Sequence, residues 1–460
     1  MSRSHQPTQE PSPSQAPFIS SNPGPSLTPS PSMIGTKRRG RKPLLVVGLL
    51  ILAVLVVVGG LIGQHLLSTG TSSASPTAVP NFQAHGPFVG PPLSAQQINE
   101  LMHLKDHMKY RALASLYVAH MNLNDEIGQL IMLEYNQPYY SADLDYAVNT
   151  LHVGGVIMYA LQLTSAHQAK SDIAHMQSRA NIPLLISTDE EGGPYVERLG
   201  SIYGPRMSAT DIFNTGNPAV AAQQGLKTSR DLAALGINED LAPDVDVNQV
   251  NGYDMLTRTF GNTAQEVIRF AGPYLKAMQG NGTIACIKHY PGLGGATPDA
   301  HATLPVVNSS RQKIYATDLA PFKAFIQSPD ALLNPGMIMP TDVLMPAIDP
   351  NYPAELSHIF MTDILRKEFG YDGVVLTDAL YMQGIAAKWD RFTAAVLALQ
   401  AGNDMILGPN GTTQTILTIQ AIKAALQSGQ LSKARIDEAA TRIIALKMQY
   451  HLMPAYMPLA

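Results

Sequence analysis

The feature that most constrains the fold is a regular alternation of short apolar runs with longer amphipathic segments between residues 121 and 450. The short runs have the length and composition of buried β-strands, and the longer segments repeat apolar side chains every three or four residues, as helices do. The β-type runs are residues 130–133, 155–158, 184–187, 237–247, 283–287, 337–339, 374–376 and 405–407. The helical segments include residues 165–180, 219–235, 264–279, 391–401 and 413–427.

Strands and helices that alternate in this way predict an α/β fold, with a single (β/α)8 barrel of the TIM type over residues 121–460. A doubly wound open sheet is the alternative. The chain has 460 residues, of which 45% are hydrophobic, so it carries enough apolar material for the core of a barrel. A closing amphipathic helix is predicted to begin after Ser432, its N-cap.

The residues before the barrel differ from it in composition. Residues 1–43 are rich in Pro, Ser, Gln and Thr and end in a basic cluster, which predicts a disordered cytoplasmic tail. Residues 44–63 contain no charged side chain, and about 20 apolar residues are enough to cross a bilayer, so we expect one transmembrane helix there. Residues 64–93 have the composition of a flexible Ser/Thr/Pro stalk, and residues 94–120 that of a helical adaptor.

The basic cluster on the N-terminal side of the apolar segment places that side in the cytoplasm. We therefore expect a single-pass protein of the cell membrane, anchored through its N-terminal segment, with the barrel outside the cell. The alternative is a secreted protein whose apolar segment is removed as a signal peptide. The formal net charge of −4 gives no reason to expect nucleic-acid binding, and we expect a monomer.

Polar and titratable residues follow several of the predicted strands. They are Asp189, Asp246, the pair Lys288 and His289, Asp342 and Asp378. Because the carboxyl ends of barrel strands meet on one face, we expect these side chains to line one pocket. The alternative is that some of them, Asp342 in particular, are structural acids that cap the next helix.

No metal or cofactor is expected in this pocket. The sequence contains no His-x-His or His-Glu-x-x-His spacing and no phosphate-binding loop of the P-loop type. Its only cysteine, Cys286, lies within a predicted strand, so neither a disulfide nor a thiolate zinc cluster can form.

A candidate catalytic loop follows the fifth predicted strand. Lys288 and His289 end that strand, a Pro-Gly break follows, and Asp299 and His301 then lie close together on a glycine-rich segment. A metal-free pocket with carboxylates and a titratable histidine suits acid/base-assisted displacement at the anomeric carbon of a sugar. That reaction needs an ionised carboxylate and a proton donor. Asp378 suits the first role and His301 the second.

Several motifs, in their order along the chain, resemble those of glycoside hydrolase family 3. They are Asp189-Glu190-Glu191-Gly192-Gly193 with Arg198, Arg258-Thr259-Phe260-Gly261, Lys288-His289-Tyr290-Pro291-Gly292, Asp299-Ala300-His301, and the segment 373–380 that contains Asp378. The Asp-x-His element is similar to that of the bacterial β-N-acetylglucosaminidase branch. The resemblance covers residues 121–450, so we expect no second α/β domain of the kind found in the family's typical β-glucosidases.

The resemblance implies a retaining exo-glycosidase that hydrolyses terminal β-linked N-acetylglucosamine, from peptidoglycan fragments, through a glycosyl-enzyme intermediate. It implies that Asp378 is the nucleophile, His301 the acid/base and Asp299 its orienting partner. It also implies that the sugar is held by Asp189, Arg198, Arg258, Lys288 and His289. The alternatives are a β-glucosidase or phosphorolytic member of the same family, and a catalytically silent membrane-tethered sugar-binding protein.

The chain departs from the family's pattern in three places. Pro194 and Tyr195 stand where the family usually has one Arg, Leu293 stands where a second His commonly follows Pro-Gly, and residues 340–342 replace the usual Thr-Ala-His after the sixth strand. The first change bears on the position of Arg198. The others bear on the leaving group that the pocket accepts.

Overall fold

A ring of parallel strands forms the centre of the molecule. The computed structural model describes residues 106–252, 255–296 and 303–453. Its strands are β1 (Ile131–Glu134), β2 (Gly155–Ile157), β3 (Leu185–Thr188), β4 (Glu239–Asp240), β5 (Ile284–Tyr290), β6 (Met337–Pro340), β7 (Val374–Val375) and β8 (Ile406–Asn410). They pair in parallel in the order β7-β6-β5-β4-β3-β2-β1-β8.

The ring closes between β7 and β8. Leu376, which follows β7, pairs in parallel with Met405, which precedes β8. The backbone N–H of Thr377 donates to the carbonyl of Met405 over 3.0 Å. The predicted α/β class with parallel strands is confirmed, and the closure excludes a doubly wound open sheet.

Helices alternate with these strands along the chain. Those before β4 are α1 (Asp106–Val118), α2 (Leu123–Gln129), α3 (Ala142–Asn149), α4 (Ala166–Arg179), α5 (Gly200–Tyr203), α6 (Ala209–Asn214) and α7 (Pro218–Leu235). Those after β4 are α8 (Ala264–Gly280), α9 (Arg311–Ala316), α10 (Ala320–Ile326), α11 (Gln383–Ala386), α12 (Arg391–Ala401), α13 (Gly411–Gln427) and α14 (Lys433–Gln449). Short 3-10 helices cover Ala331–Leu333 and Ala354–Leu356, and a π-type helix covers Ile359–Glu368.

Local signals in the sequence set the ends of several helices. The side chain of Thr263 accepts the backbone N–H of Glu266, and the Glu266 carboxylate accepts that of Thr263, so α8 begins with a capping box. Gly236 ends α7 with a φ of 92°, a left-handed conformation that glycine adopts without a Cβ clash. At the start of α14, Ser432 accepts the backbone N–H of Arg435, which confirms the predicted N-cap.

One predicted strand is much shorter than its apolar run. The run 237–247 predicts a long strand, whereas β4 has only 2 residues. Pro243 interrupts the ladder because it has no N–H to donate. The chain returns to the sheet at Asp244, which forms a parallel bridge with Lys288. The prediction was therefore wrong in length, although β4 takes its expected place in the ring.

Apolar side chains fill both sides of the strand ring. Along β5, Ile284 and Cys286 belong to one buried cluster, whereas Ala285 and Ile287 belong to another. Successive side chains of a strand point to opposite faces, so this alternation is expected. Each large apolar side chain buried in this way contributes about 1.5–3 kcal/mol. Packing on both sides thus fixes the strands and the polar residues that follow them.

The helix α1 lies within the stretch 94–120 that the sequence predicts as an adaptor. It packs against α14, and its residues Ala114 and Val118 are buried in the core. No helix among the described residues is long and apolar enough to cross a bilayer. The predicted tail, transmembrane segment (residues 44–63) and stalk lie outside those residues.

Candidate active site

The strand ends on one face of the ring surround a pocket of about 300 Å³. Its wall includes the residues predicted to bind the sugar and the predicted nucleophile: Asp189, Arg198, Arg258, Lys288, His289 and Asp378. They lie at or after the ends of β3, β4, β5 and β7. The fold therefore brings together residues that are far apart in the sequence.

Other predicted residues do not form part of this wall. Asp246 and Asp342 are fully buried and lie behind it. Asp299 and His301 lie outside the described residues. The described part of the site is therefore the nucleophile and the sugar-binding wall, without the predicted acid/base.

Three cations and two carboxylates form a linked set, in which all but the buried Glu191 line the pocket. Lys288 Nζ lies 2.5 Å from Asp189 Oδ1 and 2.6 Å from Glu191 Oε1. Arg258 donates to the two oxygens of Glu191 in hydrogen bonds of 2.8 Å. Arg198 Nη2 donates to Asp189 Oδ2 over 3.2 Å. Asp189 thus has one oxygen for each of two cations, which fixes its orientation.

The buried charges of this set stay ionised because each has an oppositely charged partner. Burial would raise the pKa of Glu191, but Arg258 and Lys288 outweigh it and hold the pKa well below its ordinary value. Burial would lower the pKa of Lys288, but Asp189 and Glu191 outweigh it and raise the pKa. The wall therefore presents fixed charges that can bind sugar hydroxyl groups.

His289 is held between an acid and a guanidinium group. Its Nδ1 lies 2.7 Å from Asp246 Oδ2, and its Nε2 lies 3.1 Å from Nη2 of Arg258. Burial lowers the pKa of His289, but the hydrogen bond and charge of Asp246 outweigh it and raise the pKa overall. Asp246 Oδ1 also accepts the backbone N–H of Leu293 over 2.7 Å. Asp246 thus positions both His289 and the segment after β5.

The predicted nucleophile, Asp378, is half-buried beyond the end of β7. Thr341 Oγ1 donates to its Oδ2 over 3.0 Å, and the backbone N–H of Ala379 donates to its Oδ1 over 2.8 Å. Unlike Asp189 and Glu191, Asp378 makes no ion pair with a described residue. Among the described residues only hydrogen bonds orient this carboxylate, so no cation there competes for it with a reacting centre in the pocket.

A family model described as "Glycosyl hydrolase family 3 N terminal domain" matches residues 122–446, which include the whole described pocket. The chain belongs to glycosyl hydrolase family 3. The resemblance seen in the motifs is thereby confirmed. The prediction of a glycoside hydrolase is also confirmed, at the level of the family.

Several proteins named as hexosaminidases or acetylglucosaminidases resemble the chain over more than half of its length. It is 30% identical over 383 residues to "Beta-hexosaminidase A" of Pseudoalteromonas piscicida, a match that covers 73% of this chain and 62% of that protein. It is 33% identical over 274 residues to "Beta-hexosaminidase" of Idiomarina loihiensis, covering 58% and 80%. A solved family 3 β-N-acetylglucosaminidase from Paenibacillus sp. str. FPU-7 is 34% identical with a TM-score of 0.67, covering 74% and 65%. The chain thus spans less than two thirds of the first and third of these proteins.

Two carboxylates that contact residues of the pocket wall were missed by the sequence analysis. Glu355 accepts the backbone N–H of Asp378 over 3.2 Å. Burial, reinforced by the charges of Asp342 and Asp378, raises the pKa of Glu355 well above its ordinary value. Glu355 lies in a 3-10 helix, so no strand-end signal could reveal it. Glu134 is the last residue of β1, and the rule that found Asp189 could have found it.

Among the described residues, Asp244, Asp246 and His289 form the one group whose ligand-type atoms lie within 4.8 Å of one another. Their geometry does not favour a cation, because His289 Nδ1 faces Asp246 and the guanidinium of Arg258 lies against the same ring. Burial, reinforced by the charge of Asp246, raises the pKa of Asp244 well above its ordinary value. We therefore assign no metal to this group.

A larger groove of about 1090 Å³ lies between α7, α8 and α10. Its wall is largely apolar and includes Ile268, Phe325 and Leu333. None of the polar strand-end residues lines it. Size alone would therefore point to the wrong cavity, and the smaller pocket carries the chemistry.

Proposed function

We propose that the protein is a retaining exo-glycosidase that hydrolyses terminal β-linked N-acetylglucosamine. The observation that carries this proposal is the position of Asp378, a carboxylate held by two hydrogen bonds in the wall of a pocket whose other lining carboxylate, Asp189, is paired with two cations. The names of two similar proteins, "Beta-hexosaminidase A" and "Beta-hexosaminidase", support the choice of sugar.

The size of the pocket supports exo action. A volume of about 300 Å³ is at the lower end of the range for small-molecule sites, and suits one sugar ring. Asp189 and Lys288 are fixed by their ion pairs and are well placed to bind the hydroxyl groups of that ring. A sugar chain would enter with its terminal residue and leave the rest outside.

The proposed reaction has two displacements. In the first, an oxygen of Asp378 attacks the anomeric carbon, the bond from that carbon to the leaving oxygen breaks, and His301 gives a proton to that oxygen. In the second, His301 takes a proton from water, whose oxygen attacks the anomeric carbon and releases Asp378. Each displacement inverts the configuration, so the β configuration is retained. Asp299 orients the imidazole of His301 and stabilises its protonated form.

A histidine acid suits the substrate that we propose, a fragment of peptidoglycan. The ordinary pKa of histidine is about 6.5, so His301 can give and take a proton near neutral pH. A carboxylate in its place would repel a leaving sugar that bears its own carboxylate, as N-acetylmuramic acid does. We further propose that residues 44–63 anchor the barrel outside the cell, where such fragments occur.

The test is hydrolysis of an aryl N-acetyl-β-glucosaminide by the full chain in detergent. Turnover of aryl β-glucosides would identify a β-glucosidase. Reactions with added inorganic phosphate would identify a phosphorolytic member of the family. We expect a preference for the N-acetylglucosaminide, no need for phosphate, and the β anomer as the first product in proton NMR. An α anomer, a sugar 1-phosphate, or binding without turnover would each contradict the proposal.

A further inference from the structure

The leaving group must lie at the mouth of the pocket, because the pocket itself suits one ring. Two tyrosines at this mouth are partly exposed: Tyr381 is 40% exposed and Tyr195 is 38% exposed, and both line the pocket. An exposed aromatic face is an apolar surface that the C–H groups of a sugar ring can cover. The position of these rings therefore bears on which leaving groups the enzyme accepts.

The ring of Tyr381 is held in place on several sides. Tyr381 lies three residues after Asp378, and its hydroxyl donates to Glu134 Oε1 over 3.4 Å. The guanidinium of Arg391 lies over the ring, 6.0 Å from its centre. The backbone approaches the ring edge at Gly408, where a Cβ would lie 3.4 Å from Cδ1 of Tyr381. The ring is thus held in place before substrate binds, which lowers the entropy cost of packing a ligand on it.

Glu134 connects Tyr381 with the sugar-binding wall. The hydroxyl of Tyr159 donates to the same oxygen, Oε1, over 2.8 Å, and Tyr159 also lines the pocket. The guanidinium of Arg198 lies over the Tyr159 ring, 5.5 Å from its centre. Glu134 itself is 3% exposed, so bulk water does not compete for these hydrogen bonds. One buried carboxylate thus fixes two adjacent tyrosine rings.

We infer that Tyr381 is the surface on which the first sugar ring of the leaving group packs, and that Glu134 is the positioning residue that holds Tyr381 there. The inference rests on the proposed function, since it names the leaving group of that reaction. The favoured leaving group is a pyranose ring with an apolar C–H face, as in a β-linked oligosaccharide. A leaving group without a ring gains nothing from this surface.

Two substrates that share the N-acetylglucosamine ring test the inference with the full chain. The leaving group of N,N′-diacetylchitobiose is a sugar ring, and that of N-acetyl-β-glucosaminyl fluoride is a single atom. Tyr381→Ala should lower kcat/KM about 3- to 10-fold more for the disaccharide than for the fluoride, mainly through KM. The matched control is Tyr146→Ala, because Tyr146 is 45% exposed on α3 and does not line the pocket. It should leave unchanged the ratio of kcat/KM for the disaccharide to kcat/KM for the fluoride.

The variants of Glu134 separate positioning from general stability. Glu134→Ala removes the acceptor of both tyrosine hydroxyls and should lower the same ratio. Glu134→Gln keeps an oxygen acceptor at that place and should keep the ratio near that of the wild type. If Glu134→Ala fails to fold, Tyr381→Phe, which keeps the ring but loses its link to Glu134, takes its place and should lower the ratio partway toward that of Tyr381→Ala. Equal losses on both substrates in these variants would overturn the inference.

The outcome also distinguishes this inference from the proposed function. If the wild type hydrolyses neither substrate, the proposed function fails and the inference fails with it. If the wild type hydrolyses both and the ratio in Tyr381→Ala equals that in Tyr146→Ala, the proposed function stands and the role of Tyr381 is overturned.

Discussion

Buried charged residues occur at both ends of the strand ring, but their surroundings differ. At the pocket end, Lys288 and Glu191 lie 2.6 Å apart, and each has a further partner of opposite charge. Near the opposite ends of the strands, Lys447 and Glu239 are at least as deeply buried. Among the described residues neither group has a hydrogen-bond partner of opposite charge, so the two ends of the same strand ring allow the effects of burial and pairing to be separated.

At the end of the ring opposite the pocket, here called the base, burial shifts the pKa values of Glu239 and Lys447 toward the neutral forms. Lys447 donates only to uncharged acceptors, Gln129 Oε1 over 2.7 Å and the carbonyl of Gly154 over 2.8 Å. Neither carboxylate oxygen of Glu239 has a hydrogen-bond partner among the described residues. Burial raises the pKa of Glu239 to about 8 and lowers that of Lys447 to about 7. The comparison teaches that burial alone moves a group toward its neutral form, whereas direct ion pairs keep it charged.

The largest expected effect is the loss of Asp378 at the pocket end. Asp378→Ala should lower kcat/KM by at least roughly 10⁴-fold on both a disaccharide and an aryl glycoside, because no leaving group is good enough to replace the nucleophile. Glu239→Gln, a change of a buried carboxylate at the base, should keep kcat/KM within a few-fold of the wild type. Steady-state kinetics check both. Substantial turnover of the aryl glycoside by Asp378→Ala would remove it from the nucleophile's role.

The next effect should depend on the substrate. His301→Ala should lower cleavage of a disaccharide by roughly 10²- to 10⁴-fold, because its alkoxide leaving group needs a proton, and should affect formation of the intermediate from a nitrophenyl glycoside far less. Added azide should rescue the nitrophenyl reaction, since it attacks the intermediate without a base. Asp299→Ala should show a milder version of the same pattern. Equal losses on both substrates, with no rescue by azide, would leave His301 a binding or structural residue.

A matched pair of lysine substitutions compares the two ends directly. Lys288→Met should lower the free energy of unfolding by roughly 3 kcal/mol, because it removes a cation shared by the buried Glu191 and the half-buried Asp189. Lys447→Met should leave it unchanged or raise it, because the lost hydrogen bonds to neutral acceptors are offset by removal of an amine whose pKa burial lowers to about 7. Urea unfolding at pH 7 measures both. Equal losses would show that pairing does not distinguish the two sites.

The smallest effect is the pH dependence of stability at the base. Glu239 has a pKa of about 8 in the folded chain and about 4.5 when unfolded. Between these values the unfolded state has lost a proton that the folded state keeps, so stability should fall as pH rises, by roughly 1.4 kcal/mol per pH unit. Lys447, with a pKa of about 7 folded and 10.5 unfolded, has the opposite slope above pH 7.

The useful window for this measurement is therefore about pH 5 to 6, where Glu239 titrates on unfolding and Lys447 is protonated in both states. Urea unfolding at several pH values should show a steeper fall for the wild type than for Glu239→Gln. Parallel curves would mean that Glu239 is ionised in the folded chain in spite of its burial.

The amino-acid sequence by itself determined the order of strands and helices, because the patterns that encode them are local. The helix Arg391–Ala401 has the bounds that its periodicity predicts. Asp189, Lys288 and Asp378 could be placed in one pocket because each lies at or directly after the end of a barrel strand. The length of β4 was predicted wrongly, because Pro243 interrupts a run whose apolar pattern continues past it.

Only the tertiary structure decided which distant groups meet and which of them are charged. Glu134 and Tyr381 are 247 residues apart. They meet because β8 pairs with β1 on one side, and on the other side Met405, directly before β8, pairs with Leu376, directly after β7. The sequence shows that Glu191, Glu239 and Glu355 can ionise, but not which of them do. That depends on the cations and hydrogen-bond donors that folding places around each carboxylate, and on how much water folding removes.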